Sequence, residues 1–287
     1  MYLIAGVTGR TGSAVAEALL AAGKPVRVLV RRGAQGQPWR QRGAEVSVGS
    51  LDDPRALSDA LRGASGAYLL SPQNPRSLDP IADGWRYADA IARAVEDEQL
   101  SHLVMLSAVP AGEGEAGGIA RTLRAAEARL ATVQTPVTFV RGGYLLENWA
   151  PVLPAAAGGV LPSFLDPDRP LPMVATGDVA AVAAAALLEG PRMPRERIEV
   201  SGPEEYNPRQ VAAALARLLD RPVDVQGLPL TQMDAVFTAA GASPAFAAEV
   251  RLLHAAINDG KLVLGADGAR LARGRTDLDS FFEPLVA

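Results

Sequence analysis

The first half of the chain alternates short apolar runs with longer stretches whose apolar residues recur at helical spacing. This alternation predicts a parallel β-sheet with helices on both of its faces. Six strands are predicted, at residues 2–7, 26–30, 45–48, 67–70, 102–106 and 137–140. Helices are predicted at residues 12–22, from the capping pair Asp53-Pro54 onward, at 79–98 and, after a glycine-rich loop over 111–118, at 120–131.

The rhythm of the chain changes after residue 143. Prolines cluster between Pro151 and Pro172, which predicts an irregular, partly exposed segment. Beyond it the pattern predicts helices at 178–188, 208–219, 231–241 and 245–259, and one further short strand at 197–200. We therefore expect a sheet core over residues 1–143, to which 176–202 returns, and a small discontinuous cap over 144–175 and 203–287.

Composition excludes several classes of protein. The 287 residues are 48% hydrophobic and 21% charged, which fits an ordinary globular chain with a sizeable core. The formal net charge is −4 and no basic block stands out, so we expect no nucleic-acid partner. Cysteine is absent, which excludes disulfides and thiolate chemistry, and with only His102 and His254 we expect no metal site.

The most apolar helical stretch, at residues 179–188, is too short to span a membrane. The chain opens on an apolar run without a basic region before it, so we expect no signal peptide and a cytoplasmic protein. The sequence leaves a homo-oligomer open without indicating one.

A glycine-rich turn joins the first predicted strand to the first helix. It contains Gly6, Gly9 and Gly12, with Thr8, Arg10 and Thr11 between them. Glycine allows a tight turn and a close backbone approach, and the following helix N-terminus offers free N–H groups and a positive dipole end. The turn therefore predicts a pyrophosphate site in a Rossmann-type, doubly wound α/β fold. A glycine-rich turn without a ligand is the alternative.

The residues at the end of the second strand indicate which nicotinamide cofactor the protein binds. An acidic residue there would bind the adenosine ribose hydroxyls of NADH. This chain has Arg31 and Arg32 instead, and no Asp or Glu lies between Gly23 and Gly43. Guanidinium groups bind a 2′-phosphate through charge-assisted bonds, so we expect NADPH rather than NADH, and Arg10 could reach the same phosphate. Solvated arginines at a strand end are the alternative.

Further segments resemble a known family. The glycine spacing resembles extended and atypical short-chain dehydrogenases/reductases, and the order of the other segments is similar to the NmrA-like family, in its NAD(P)H:quinone oxidoreductase-like branch. These segments are Leu29-Val-Arg-Arg32, Gly49-Ser-Leu-Asp-Asp53, Phe139-Val-Arg-Gly-Gly-Tyr-Leu-Leu-Glu-Asn148, Gly177-Asp-Val-Ala180, Ser201-Gly-Pro-Glu204 and the closing Gly274-Arg-Thr-Asp-Leu-Asp-Ser-Phe-Phe282.

The resemblance implies additional site residues. It places Ser50 and Leu51 beside the adenine, where the family more often has Asp-Leu. We also expect cofactor contacts from Leu70, Ser71, Ser107, Gly142, Gly143 and Tyr144. Asn148 and Trp149 fall where the cap should meet the sheet and are expected to contact the substrate, with packing and helix entry as the alternative.

The usual proton donor of short-chain dehydrogenases is missing. That donor is a tyrosine paired with a lysine four residues later, but the only lysines here are Lys24 and Lys261, and the matching positions hold Ile119 and Leu123. Reduction of simple ketones is therefore not expected. Quinone reduction remains feasible, because the product anion is stabilised and solvent can protonate it.

Two side chains are candidates for assisting catalysis. Ser107 ends the fifth strand at the carboxyl edge of the sheet, and Tyr144 follows the sixth strand. Purely structural roles are the alternative for both. We expect structural roles for His102 and His254, and Asp178 reads as the N-cap of the helix that follows it.

The function predicted from sequence is NADPH-dependent hydride transfer to a quinone or an activated conjugated carbonyl. Two alternatives remain. One is a cofactor-binding redox sensor or regulator without turnover, which the missing Tyr-Lys pair keeps open. The other is an isomerase or dehydratase of a pathway intermediate.

Overall fold

The computed structural model describes residues 1–110, 114–265 and 267–286, without the side chains of residues 115 and 116. Residues 111–113 of the predicted loop therefore lie outside the described residues. The described strands are β1 (Tyr2–Ala5), β2 (Val26–Val30), β3 (Glu45–Val48), β4 (Gly66–Leu69), β5 (Leu103–Ala108), β6 (Val137–Gly142), β7 (Tyr144–Leu145), β8 (Val160–Ser163), β9 (Met173–Val174), β10 (Arg195–Ser201), β11 (Asp224–Gly227) and β12 (Arg270–Arg273).

Eight of these strands form one sheet in the order β12-β10-β6-β5-β4-β1-β2-β3, and every neighbouring pair is parallel. From β1 the chain continues to β2 and β3 on one side, and then crosses to β4, β5 and β6 on the other. The strand order thus reverses between β1 and β4, where ligands of open parallel sheets bind. The predicted doubly wound α/β fold is confirmed.

The described helices are α1 (Arg10–Ala21), α2 (Gln37–Gln41), α3 (Pro54–Leu61), α4 (Pro80–Asp97), α5 (Arg121–Leu130), α6 (Leu153–Ala157), α7 (Thr176–Glu189), α8 (Pro208–Leu219), α9 (Met233–Ala239), α10 (Pro244–Asn258) and α11 (Leu278–Val286). Helices α1 and α7 pack on one face of the sheet through Val15, Leu19 and Val179. Helices α3, α4 and α5 pack on the other. No helix of the described residues is long and apolar enough to cross a membrane.

Local sequence signals set several helix ends. The Asp53 carboxylate accepts the N–H groups of Arg55 and Ala56, as predicted for the cap of α3. Gly23 ends α1 with a φ of +68°, a left-handed conformation that favours glycine. Helix ends that are set by residues adjacent in the chain can therefore be predicted from the sequence.

A separate apolar cluster lies at the carboxyl end of the sheet. Segments between Leu146 and Ala175 pack there against α8, α10 and α11, around residues such as Trp149, Leu215 and Phe282. The short pairs β7–β9 and β8–β11 belong to these segments. The boundaries of core and cap stay a prediction, with one difference: residues 270–273, assigned to the cap, form β12 and pair with β10 of the main sheet.

Two predictions about this region were wrong. The segment 151–172 is not wholly irregular, because it contains α6 and β8. Asp178 is not an N-cap, because α7 starts two residues before it and its N-cap is Ala175. The Glu147 carboxylate instead accepts the Thr176 N–H at 3.0 Å, and Asp178 accepts the N–H of Thr276 at 3.0 Å. Asp178 thus fixes the C-terminal segment to the core.

Replacement of Asp178 by alanine is expected to destabilise the protein. It removes a half-buried acceptor and a favourable charge in the first turn of α7, which is worth about 1–2 kcal/mol of unfolding free energy. Asp178→Asn keeps an acceptor for Thr276 and should lose less. Urea denaturation of both variants measures the difference, and equal stability of Asp178→Ala and the parent would contradict this role.

Candidate functional site

A cleft of about 500 Å³ opens at the carboxyl ends of β1, β2 and β4, at the point where the strand order reverses. Its walls are the turn after β1, the end of β2, the turn after β3 and the loop from Leu70 to Pro75. Eight of the predicted cofactor-binding residues line it, namely Gly6, Thr8, Gly9, Thr11, Arg31, Ser50, Leu51 and Leu70.

The surroundings of the three glycines in the first turn differ, and so does the reason for glycine at each position. Gly6 has a φ of +71°, and a Cβ there would approach Leu70 Cδ2 to 2.6 Å. At Gly12 a Cβ would lie 2.4 Å from the Ala5 carbonyl oxygen, so α1 could not pack on β1. A Cβ on Gly9 would lie 3.4 Å from the Gly6 carbonyl oxygen, which is an ordinary contact distance. The described protein atoms therefore leave room for a side chain at Gly9, so packing does not require glycine there.

The N-terminus of α1 is suited to an anion. No side chain caps it, and its first turn contains no acidic residue. The first N–H groups of a helix lack partners within the helix and carry a partial positive charge. Since Gly9 and Thr11 line the cleft at this point, the residues present fit the pyrophosphate of a dinucleotide.

The end of the cleft at β2 and β3 is cationic. Arg31 lines it and forms no ion pair with any described residue, whereas Arg32, although exposed, does not line it. No carboxylate is present among the described lining residues. The Ser50 hydroxyl, which also lines this end, donates to Asp52 outside it. Of the two arginines predicted to bind a 2′-phosphate, the structure places only Arg31 in the cleft.

Several predicted residues do not line this cleft. Ser71 is buried, and its hydroxyl has no partner among the described residues. A Cβ on Gly143 would lie 1.9 Å from the Pro172 oxygen, so this glycine serves the packing of β7. The other predicted contacts outside the cleft are Arg10, Gly12, Arg32, Ser107, Gly142, Tyr144, Asn148 and Trp149.

Ser107 belongs to a buried ion-pair network. Its hydroxyl donates to Glu127 of α5 at 2.6 Å, and the same carboxylate receives two hydrogen bonds from Arg141, at 2.8 and 2.6 Å. Arg141 also donates to Glu199 at 3.2 Å and to Asp267 at 2.8 Å. Ser107, Arg141 and Glu199 are in register on β5, β6 and β10. The hydroxyl hydrogen of Ser107 is thus used by Glu127.

Arg141 was not singled out from the sequence. Burial alone would lower its pKa, but the hydrogen bonds to Glu127 and Asp267 outweigh burial and raise the pKa above its usual value. The available signal was a charged residue inside an otherwise apolar run, which requires a partner. Its partners are 14, 58 and 126 residues away along the chain, so the sequence could not name them.

Tyr144 lies in an aromatic cluster of the cap. Its ring centroid is 6.3 Å from that of Trp149 and 6.4 Å from that of His254, both edge-on. Burial raises the pKa of Tyr144, and Asn148 beside it opposes this rise. Burial likewise lowers the pKa of His254. The structure therefore brings Tyr144, Asn148 and Trp149 together, with His254 as a neighbour that sequence reasoning had set aside.

His102 lies at the opposite, amino edge of the sheet, where its Nε2 contacts the Thr138 hydroxyl at 2.9 Å. Burial lowers its pKa. This position agrees with the structural role expected for it.

Comparison with known proteins identifies the family of the chain that forms this cleft. The NAD(P)H-binding family matches residues 6–190, and the chain belongs to it. The matched segment begins at the glycine turn and extends through β2 to the end of α7. The expected nicotinamide dinucleotide cofactor is thereby confirmed.

Three of the proteins similar to this chain are reductases or oxidoreductases. A (4-alkanoyl-5-oxo-2,5-dihydrofuran-3-yl)methyl phosphate reductase of Streptomyces griseus is 37% identical over 232 residues, which are 79% of this chain and 77% of that protein. An NAD(P)H azoreductase of Xenophilus azovorans is 28% identical over 257 residues, 89% and 86% of the two chains. The NADPH complex of an Escherichia coli NADPH-dependent quinone oxidoreductase superimposes with a TM-score of 0.82 at 23% identity, over 100% of both chains.

The glycine turn gives a direct test of the cleft. Gly9→Val places a side chain where the pyrophosphate would lie, and the extended backbone at Gly9, with a φ of −106°, accepts valine. We expect loss of nucleotide binding with little change in melting temperature. Gly12→Val is the contrasting variant, because its side chain meets β1 and should destabilise the fold.

Calorimetric titration with NADPH and thermal melting by circular dichroism measure the two effects. Nucleotide affinity retained by a folded Gly9→Val protein would show that the turn holds no pyrophosphate.

Proposed function

We propose that this protein is an NADPH-dependent oxidoreductase that transfers a hydride to a quinone or an activated conjugated carbonyl. The observation that carries the proposal is the composition of the cleft. It provides an uncapped helix N-terminus for phosphates and a cation at the adenosine end, and no carboxylic acid is present among its described lining residues.

The absence of a strong acid in this lining restricts the chemistry. Arg31 and Tyr87 are its only ionisable side chains among the described residues, and burial, followed by the nearby Asp52, raises the pKa of Tyr87. A substrate whose reduction needs a strong protein acid is poorly served by such a site. An acceptor that becomes a stabilised anion on taking a hydride needs no such acid.

The relatives support this class of acceptor. The substrates given in their names are a quinone, an azo compound and a dihydrofuranone that bears an alkanoyl group. All three are electron-poor conjugated groups, in which the negative charge left by hydride addition is delocalised. A common substrate class therefore fits both the relatives and the composition of this cleft.

The chain's own residues bind and orient the reactants. When bound, the reduced nicotinamide supplies the hydride, and solvent supplies the proton that completes the reduction. The α1 N-terminus holds the pyrophosphate, Arg31 holds the 2′-phosphate, and Ser50 and Leu51 lie beside the adenine. Leu70 supports the dinucleotide where the turn after β1 meets β4.

The remaining predicted contacts would serve the nicotinamide half of the cofactor and the substrate. Ser71, Ser107, Gly142 and Gly143 lie at or just beyond the carboxyl ends of β4, β5 and β6, where the nicotinamide half would continue. Tyr144, Asn148 and Trp149 would then wall the substrate pocket. In this arrangement the residues of the cap, 144–175 and 203–287 without β12, determine which acceptor enters.

Steady-state oxidation of NADPH against a panel of quinones, enones and azo compounds tests the proposed function. We expect turnover with at least one electron-poor acceptor and none with simple ketones. Tight NADPH binding without turnover on the whole panel would contradict the proposal and support a redox sensor. Such a sensor must bind reduced and oxidised cofactor with different affinities, which titration of both forms would show.

The two arginines after β2 give a paired test of cofactor choice. Arg31→Ala should weaken NADPH binding about tenfold to hundredfold, the scale of a hydrogen bond to a charged group. Arg32→Ala is the matched control and should change it by less than about threefold, as for a solvated surface charge. NADH affinity should stay unchanged in both. Equal losses in the two variants would contradict the placement of the phosphate at Arg31.

Protonation by solvent gives a prediction for Tyr144. Tyr144→Phe removes only the hydroxyl, so quinone reduction should fall by roughly tenfold or less, the scale of one weakened neutral hydrogen bond. Removal of a true general acid costs about 100- to 10,000-fold. A loss of that size, with NADPH affinity unchanged, would identify the phenol as the acid. The measurement is kcat/KM with a quinone at saturating NADPH.

A further inference from the structure

The loop after β4 carries a polar side chain at the nicotinamide end of the cleft. The loop runs over residues 70–79, and Leu70, Gln73 and Asn74 line the cleft. Arg31 and Ser50 mark the opposite end, and the α1 N-terminus lies between the two ends. A dinucleotide whose pyrophosphate binds at α1 therefore extends its nicotinamide half past β4, toward this loop.

The orientation of the Gln73 amide is fixed by Thr122 of α5. The Thr122 hydroxyl donates its single hydrogen to the Ile119 carbonyl oxygen at 2.8 Å, and Gln73 Nε2 lies 2.7 Å from the same hydroxyl oxygen. A carbonyl oxygen only accepts, so the hydroxyl can meet Gln73 only as an acceptor. The amide must therefore direct its NH₂ group at Thr122 and its Oε1 away from it.

The two partners are themselves held in place. Thr122 is 1% exposed, and α4 packs against it so closely that a Cβ on Gly84 would lie 2.7 Å from the Thr122 Cβ. The loop is fixed from the cap, where the Ser243 N–H donates to the Pro75 oxygen at 2.8 Å. The Ser243 hydroxyl donates to the Ser77 oxygen as well. The Gln73 carbonyl is thus a preorganised acceptor.

This acceptor has no protein donor. Gln73 is exposed, and its Oε1 makes no hydrogen bond within the described part of the chain. Its partner Thr122 lies between Ile119 and Leu123, the positions without the Tyr-Lys pair. Asn74, the other polar residue of the loop that lines the cleft, uses its Oδ1 to accept the Arg76 N–H at 3.1 Å.

We propose that Gln73 Oε1 accepts a hydrogen bond from the nicotinamide riboside half of the cofactor, from a ribose hydroxyl or the carboxamide, and that Thr122 is the positioning residue for this contact. The inference rests on the proposed placement of NADPH in the cleft. It adds a binding residue that acts on the nicotinamide half alone and has no part in recognition of the 2′-phosphate.

Two ligands separate the halves of the cofactor. NADPH carries both halves, whereas 2′,5′-ADP carries only the adenosine and its phosphates. Gln73→Leu keeps the size of the side chain and removes the acceptor. We expect its NADPH dissociation constant to rise about fivefold to tenfold, the scale of one neutral hydrogen bond, with the constant for 2′,5′-ADP unchanged.

The Thr122 variants test the positioning role. Thr122→Val removes the hydroxyl that orients the Gln73 amide. This variant should weaken NADPH binding to a similar extent, although residue 122 does not contact the ligand. Thr122→Ser keeps the hydroxyl and should restore the parent affinity. In the Gln73→Leu/Thr122→Val double variant the two losses should not add, because both remove the same contact.

Calorimetric titration of the 287-residue chain measures these constants, and thermal melting reports any change in the fold. An unchanged NADPH constant in Gln73→Leu, or equal losses for NADPH and 2′,5′-ADP, would overturn the inference while leaving the proposed function intact. Failure of the parent chain to bind NADPH would overturn both.

Discussion

The contact between α1 and β1 at Gly12 is the constraint on which the site depends. A Cβ at this position would lie 2.4 Å from the Ala5 oxygen and 2.5 Å from the Gly6 oxygen, so only glycine lets the helix start directly above the strand. That start directs the free N–H groups of α1 at the carboxyl edge of the sheet. Since β2 and β4 flank β1, Arg31 and the loop after β4 come to lie on opposite sides of the same helix end. One close contact thus sets the relative positions of Arg31, the N-terminus of α1 and the loop after β4.

The neighbouring strands β5, β6 and β10 carry polar and charged side chains instead of a glycine-rich turn. On the face covered by α5 they carry Ser107, Arg141 and Glu199 in register, and Glu127 joins this row from the helix. Removal of one partner of a buried pair leaves an uncompensated charge, at a cost of about 3–5 kcal/mol. The network thus uses the hydroxyl of Ser107, one of the two candidates for assisting catalysis. The polar side chains that the loop after β4 contributes to the cleft are Gln73 and Asn74.

The sequence predicted the core accurately for a physical reason. Strand β2 is a largely buried apolar run, and the edge strand β3 alternates polar and apolar residues, so both have the predicted bounds. The cap gave weaker signals. Strand β12 reads Arg-Leu-Ala-Arg at an exposed edge, and two-residue strands such as β7 have no periodicity at all. Asp178 was misassigned because its partner, Thr276, is 98 residues away.

The candidate site divides in the same way. The glycine turn was found because its function depends on consecutive residues. Arg31 and Arg32 were indistinguishable, because adjacent residues at a strand end point to opposite sides and only the sheet shows which side faces the cleft. Gln73 gave no signal, since an exposed polar residue in a loop resembles any solvated one. The contact of Ser107 with Glu127 likewise depends on how α5 packs on the sheet.

The central claim is that one dinucleotide lies across the carboxyl edge of the sheet, from Arg31 to Gln73, with its pyrophosphate at the N-terminus of α1. A crystal structure of the complex with NADP⁺ tests it most directly. We expect the 2′-phosphate within hydrogen-bonding distance of the Arg31 guanidinium, the pyrophosphate against the first N–H groups of α1, and the nicotinamide half beyond β4. A pyrophosphate bound away from α1, or a nicotinamide placed at the Arg31 end, would contradict it.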